Sequence, residues 1–227
     1  LRGLTHALQR QLEYAVLRPF GAIHIMAHMK VMPLARRLAQ TIVPVLSWQM
    51  STPPVAEALR VGVQIAGAVE TAHRAGILHR DIKPANILVR DVHPRLDLVL
   101  TDFGVAADQV STVLMQTVAA SWPWAAPEVH TKGQVARPID WWALGAIMYQ
   151  LVVGRHLLAA SDGTMPSDKE QRAIIVDGRY TTEAIEDRRW RNLVDGLLAY
   201  QPADRWGAPQ VRDWLGGQDP PLVRTVP

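Results

Sequence analysis

The stretch from Asp140 to Val153, DWWALGAIMYQLVV, is apolar on nearly every side of a helix. Trp141, Trp142, Leu144, Ile147, Met148 and Leu151 leave no polar face to turn toward water. Such a helix is stable only in the centre of a core, so the rest of the chain must supply a shell around it. Gly154 is placed to close it. With 227 residues, 48% of them hydrophobic and 20% charged, the chain has the material for one such core. It contains no cysteine, which excludes a disulfide framework and any Cys-based zinc site.

The shell is legible in part. Leu4, Leu8 and Leu12, continued by Ala15 and Val16, predict an amphipathic helix over 1–17 that Arg18-Pro19-Phe20-Gly21 ends. Residues 22–32 predict a strand and 33–40 a short helix. A longer helix follows, with Thr52 as its cap, Pro53 and Pro54 in its first turn, and Gly76 at its end. Leu59, Val63, Ala66, Val69 and His73 recur along it at helical spacing. Residues 87–90 and 97–101 predict two short strands around a turn at Asp91 to Arg95. Further helices are expected near 167–176, 187–199 and 208–215, then a loose tail from Gly216.

The chemistry concentrates in His79-Arg80-Asp81-Ile82-Lys83-Pro84-Ala85-Asn86. Moving a phosphoryl group onto a hydroxyl needs a carboxylate to orient the attacking oxygen and accept its proton. It also needs positive charge on the moving group and oxygen ligands for magnesium. Asp81, Lys83 and Asn86 offer these three within one loop, and Asp102-Phe103-Gly104 adds a second carboxylate after the strand pair.

GILHRDIKPANILV, from Gly76 to Val89, resembles the catalytic loop of the protein kinases, especially eukaryotic-like Ser/Thr kinases of bacterial type. Other matches fall in the family's order: Ala126-Pro127-Glu128, Asp140-x-Trp142-x-x-Gly145, and Arg205 in QPADRW. The resemblance covers about residues 22–215 and implies an α+β, protein-kinase-like fold dominated by a mostly helical C-lobe. It implies Asp81 as catalytic base, Lys83 on the γ-phosphate, Asn86 and Asp102 as magnesium ligands, and Leu88 beneath the adenine ring. His79, Arg80, Phe103, Gly104, Ser121, Glu128, Asp140 and Arg205 take structural or regulatory places. Among these, Ser121 contacts the catalytic loop, Asp140 braces its backbone, and Arg205 pairs with Glu128. Arg80 would hold a phosphorylated activation segment, with Ser111, Thr112 and Thr117 as candidate acceptors.

The resemblance weakens toward the start of the chain. Glycines before the loop stand only at 3, 21, 62, 67 and 76, so no GxGxxG is present. Lys30 is the one lysine before Lys83 and lies too near Asp81 for the family's strand lysine. Residues 26–32 are therefore expected as the strand leading into the hinge. Residues 1–17 are expected as the remnant of the regulatory helix, with Glu13 as its possible glutamate. His24, Met26 and His28 alternate on that strand and are read as strand residues, not as a soft-metal site. The division expected is 1–32 as a reduced N-lobe, 33–215 as the C-lobe and 216–227 as a flexible tail.

The expected function is a serine/threonine kinase-like transfer of the ATP γ-phosphate to a protein hydroxyl, with ATP and Mg2+ required. The alternative is a scaffold of the same fold that transfers nothing, because the glycine loop and strand lysine are absent. Ser121 and Ala126-Pro127-Glu128 favour a protein acceptor over a small molecule. A truncated N-lobe would leave apolar surface for a protein partner or second copy to cover. Lys plus Arg number 24 against 21 acidic residues, an excess too small to argue for nucleic acid. The basic residues before Glu57 read as a solvated helix face. No apolar run reaches membrane-spanning length and no signal-peptide pattern opens the chain, so a cytoplasmic location is expected.

Overall fold

The computed structural model describes residues 55–91, 97–103, 122–131 and 136–223. The helices, strands and turns expected before residue 55, including the Thr52 cap, lie outside them. So do Glu13, Lys30, Gly104, Ser111, Thr112, Thr117 and Ser121.

In chain order the elements are α1 (Val55–Arg74), β1 (Ile87–Asp91), β2 (Asp97–Leu100), α2 (Pro127–His130), α3 (Pro138–Val153), α4 (Asp168–Val176), α5 (Arg188–Leu197) and α6 (Ala208–Leu215). Two 3-10 turns, Pro84–Asn86 and Trp122–Trp124, stand between them. The all-apolar helix α3 is the centre. Ile139 through Tyr149 and Leu151 are all buried, with Trp142 at 0% exposure. Helices α1 and α5 both pack against it, and α6 touches α1. The helix starts two residues before Asp140 because Pro138 supplies a preset first turn. It ends at Gly154, whose φ of 82° closes the last turn by donating to Gln150 O at 2.8 Å.

Helix α1 is buried over a wider arc than the stripe from Leu59 to His73. Ala58, Val61, Ile65 and Ala72 form a second buried row, because α1 packs against both α3 and β2. Its Gln64 Oε1 accepts from Leu98 N at 2.8 Å, so a helix side chain satisfies a strand amide. The strands form an antiparallel pair, with Ile87 opposite Leu100 and an irregularity between Val89 and Asp91.

Small residues set how closely the helices approach. A Cβ on Gly145 would stand 2.8 Å from Leu197 Cβ, and one on Gly196 only 2.2 Å from Trp206 Cδ2. The α3–α5 seam and the Trp206 turn therefore close over glycine backbone. Helix α5 starts at Asp187, whose side chain accepts from Trp190 N at 3.0 Å. Trp190 and Trp214 then pack edge-on, 5.4 Å between centroids. Beyond α6, the first part of the segment expected as a loose tail is tied down. Trp206 Nε1 donates to Pro221 O at 3.1 Å, and Leu222 packs against the core.

Candidate active site

The loop from His79 to Asn86 joins α1 to β1, and its shape is set by α3. Asp140 lies in the first turn of that helix and is 1% exposed. Its Oδ1 accepts from Arg80 N at 2.8 Å. Its Oδ2 accepts from His79 N at 2.9 Å and from His73 Nε2 at 2.7 Å. Two consecutive loop amides and a side chain from the end of α1 thus converge on one buried carboxylate. Charge-assisted bonds of this kind are stronger than neutral ones. Arg80 adopts φ 67° there, a conformation that non-glycine residues take only where surrounding bonds over-determine it.

His79 fixes the next link. Asp81 N donates to its Nδ1 at 3.3 Å, so Nε2 carries the proton and donates to Thr101 O at 2.8 Å. Burial holds its pKa below the ordinary value, against the opposing pull of Asp140, and keeps the imidazole neutral. Its ring lies 4.6 Å from that of Phe103.

Asp81 is held from both sides. Lys83 Nζ stands 2.9 Å from its Oδ2. Asn86 Nδ2 donates to Asp81 O at 2.8 Å and to Oδ2 at 3.0 Å. Both Nδ2 contacts go to Asp81, which leaves Oδ1 as the atom Asn86 can offer to a cation. The other carboxylate oxygen, Asp81 Oδ1, is buried with no hydrogen-bond partner among the described residues. Such an acceptor is costly to leave unmet.

The hairpin brings the second carboxylate alongside. Because Ile87 pairs with Leu100, the residues just outside the ladder, Asn86 and Thr101, also meet. Thr101 N and Oγ1 both reach Asn86 O, at 2.8 and 3.1 Å. Asp102 follows directly, exposed and at φ 57°. Leu88 is half-buried on β1. Asn86 and Asp102 offer hard oxygen donors, a set that suits Mg2+ bound with phosphate oxygens. Among the described residues no group of three or more His, Asp or Glu forms a metal cage.

The remaining wall is residues 122–131. Arg205 anchors it with all five of its N–H donors. Its Nη1 and Nη2 bond the two oxygens of Glu128 at 2.6 and 3.0 Å. Nε, Nη1 and Nη2 further reach Ala199 O, Pro138 O and Tyr200 O at 3.0, 3.1 and 3.1 Å. The guanidinium lies 5.0 Å over the Trp142 ring. Between this wall and the loop is a small cleft, lined by Asp81, Ile82, Trp124, Ala126 and Ile139 among others.

Of the site residues expected from sequence, the structure brings together His79, Arg80, Asp81, Lys83, Asn86, Asp102 and Phe103, with Asp140 beneath them. Glu128 and Arg205 pair one layer below. Gly104 and Ser121 lie outside the described residues. His73 and Gln64 were not singled out as site residues. His73 showed only as a position on a helical stripe, and a partner 67 residues away leaves no local signal.

Residues 24–214 match the protein kinase domain family. Among similar proteins is the calcium and calcium/calmodulin-dependent serine/threonine-protein kinase DMI-3 of Medicago truncatula, 29% identical over 75% of this chain and 33% of that protein. Another is the serine/threonine-protein kinase zyg-8 of Caenorhabditis elegans, 32% identical over 74% of this chain and 22% of that protein. A third is the serine/threonine-protein kinase PknK of Mycobacterium bovis, 35% identical over 66% and 13% respectively. The chain thus spans a third or less of the length of these relatives. A crystal structure of Rad53 1-466 in complex with AMP-PNP shares the fold, with a TM-score of 0.58 and 24% identity over 77% of this chain and 44% of that one. Among the described residues no helix is long and apolar enough to cross a membrane.

Proposed function

Because this chain belongs to the protein kinase family, we propose that it is a serine/threonine protein kinase transferring the γ-phosphoryl group of ATP to a protein hydroxyl. The observation that carries the reading is the state of Asp81. One carboxylate oxygen is held by Asn86 and Lys83, and the other is buried without a partner beside a cleft. A hydroxyl entering the cleft would donate to Oδ1 and lose its proton there as its oxygen attacks phosphorus. The bond to the bridging oxygen breaks, and ADP leaves.

Bound magnesium supplies positive charge against the phosphate oxygens. Asn86 Oδ1 and the Asp102 carboxylate would hold it, and Lys83 Nζ would offset charge on the moving group. Leu88 would lie beneath the base. Lys83-Pro84 in the loop favours serine or threonine as acceptor, and Ser121 would close the contact between wall and loop. Residues 1–32 would form a reduced N-lobe, and the C-lobe beginning at 33 would extend past 215 to the segment that Trp206 and Leu222 tie down.

The test is incubation of the purified chain with radiolabelled ATP, Mg2+ and a degenerate Ser/Thr peptide library. Asp81→Asn should lower transfer by about a hundredfold or more while the far-ultraviolet circular dichroism stays that of the parent. Transfer that persists in Asp81→Asn removes the role assigned to that carboxylate. Nucleotide binding without transfer in the parent would mark a scaffold instead.

A further inference from the structure

His156 sits just after α3 in a loop with little freedom. Gly154 turns the chain, and Arg155 Nη1 donates to Tyr149 Oη at 3.3 Å and to Ala159 O at 3.1 Å. Ala159 N returns to His156 O at 3.0 Å, and Leu157, Leu158 and Ala159 are buried. The ring is fixed as well. Leu158 N donates to His156 Nδ1 at 3.1 Å, so the neutral imidazole carries its proton on Nε2. That Nε2 is buried and has no hydrogen-bond partner among the described residues.

What the imidazole meets is Trp124. Their rings stand perpendicular, at 88°, with centroids 4.5 Å apart. That is the near end of the range for edge-to-face aromatic pairs, which join a positive edge to a negative face. Trp124 in turn lines the cleft that Asp81 lines. The turn carrying it packs against α3 and α4, but the indole is only partly buried. An ordinary core histidine would satisfy both nitrogens. This one gives Nδ1 to its own loop and presents the rest of the ring to a wall residue.

We infer that His156 is a positioning residue for the acceptor site: its ring, locked by the loop after α3, holds Trp124 upright in the wall beside Asp81. The inference rests on the kinase reading for its functional consequence, but the positioning itself does not. His156 touches neither the loop from His79 to Asn86 nor Asp102 in any contact described above. Its loss should therefore weaken capture of the protein acceptor and leave nucleotide handling unchanged.

The experiment compares the parent with His156→Ala and His156→Phe by two readouts. Hydrogen-exchange mass spectrometry of residues 122–131 reads the wall without reference to activity. His156→Ala should speed exchange there, and His156→Phe, which keeps a ring edge but has no Nδ1, should restore protection. In steady-state assays with the peptide library, His156→Ala should raise the acceptor KM roughly three- to tenfold, the size of one edge-to-face contact. The KM for ATP and the kcat should stay within about twofold, as expected for a change confined to acceptor binding. Should His156→Ala fail to fold, His156→Leu fills the volume without presenting an aromatic edge and takes its place. Unchanged exchange at 122–131 overturns the inference, whatever the activity. A His156→Phe variant as impaired as His156→Ala overturns it too, as does an equal rise in both KM values. If the parent transfers no phosphate, the kinase reading fails, and the exchange arm still decides the positioning.

Discussion

Asp81 and His156 show how one residue's surroundings set its chemistry. Asp81 is a carboxylate with one oxygen committed and one buried without a partner. His156 is an imidazole whose burial pushes its pKa down to about 4. The folded protein therefore keeps His156 neutral where the unfolded chain, with a value near 6.5, would already bind a proton. Stability from this group is full above about pH 6.5, declines as the pH falls toward about 4, and changes no further below that. Thermal unfolding of the parent should thus show a steeper fall in Tm between those values than unfolding of His156→Phe. His79, also depressed by burial, leaves a residual slope in the variant. Identical slopes would mean that His156 is not held neutral by the fold.

At the scale of elements, Arg205 and Glu128 join the segment after α5 to the turn at α2. Removing one member of a buried pair strands the other, so Glu128→Ala should cost about 3–5 kcal/mol in urea unfolding. Replacing both residues with methionine often recovers stability in buried pairs. Here it should not, because Ala199 O, Pro138 O and Tyr200 O would each lose a donor. Full recovery in the double variant would show that those three carbonyls find other partners.

The same scale explains what could be read from the chain in advance. Gly154 marks the end of α3, and the helices expected near 167–176, 187–199 and 208–215 form as α4, α5 and α6. The two residues that Pro138 adds at the start of α3 were not read. Two short strands around a turn were legible, but their register, and with it the meeting of Asn86 and Thr101, was not. The Asp81, Lys83 and Asn86 cluster was legible because it is local. His73 against Asp140, Gln64 against Leu98, and Trp124 against His156 were not. Each pair joins residues that only the wrapping of helices around α3 brings together. The second buried row on α1 was hidden for a related reason: a helix covered on two sides loses the polar face that a stripe depends on.

For the described body as a whole, α3 is shared property. It packs against both α1 and α5, and its first turn holds the loop. Trp142, wholly buried and in edge contact with Tyr180 at 5.2 Å, sits in its second turn. Trp142→Ala should cost about 3–5 kcal/mol, and unfolding followed by fluorescence and by circular dichroism should still coincide. Separate transitions would show that the helices around α3 melt independently.

The bond from Arg80 N to Asp140 has one more consequence. Active-site segments are commonly among the first parts of a protein to open, because they are spanned by few interior contacts. Here the amides of His79 and Arg80 end on a carboxylate rooted in the most deeply enclosed helix. The loop therefore has no thermal life of its own. Warmth that leaves α3 standing should leave these two bonds standing too.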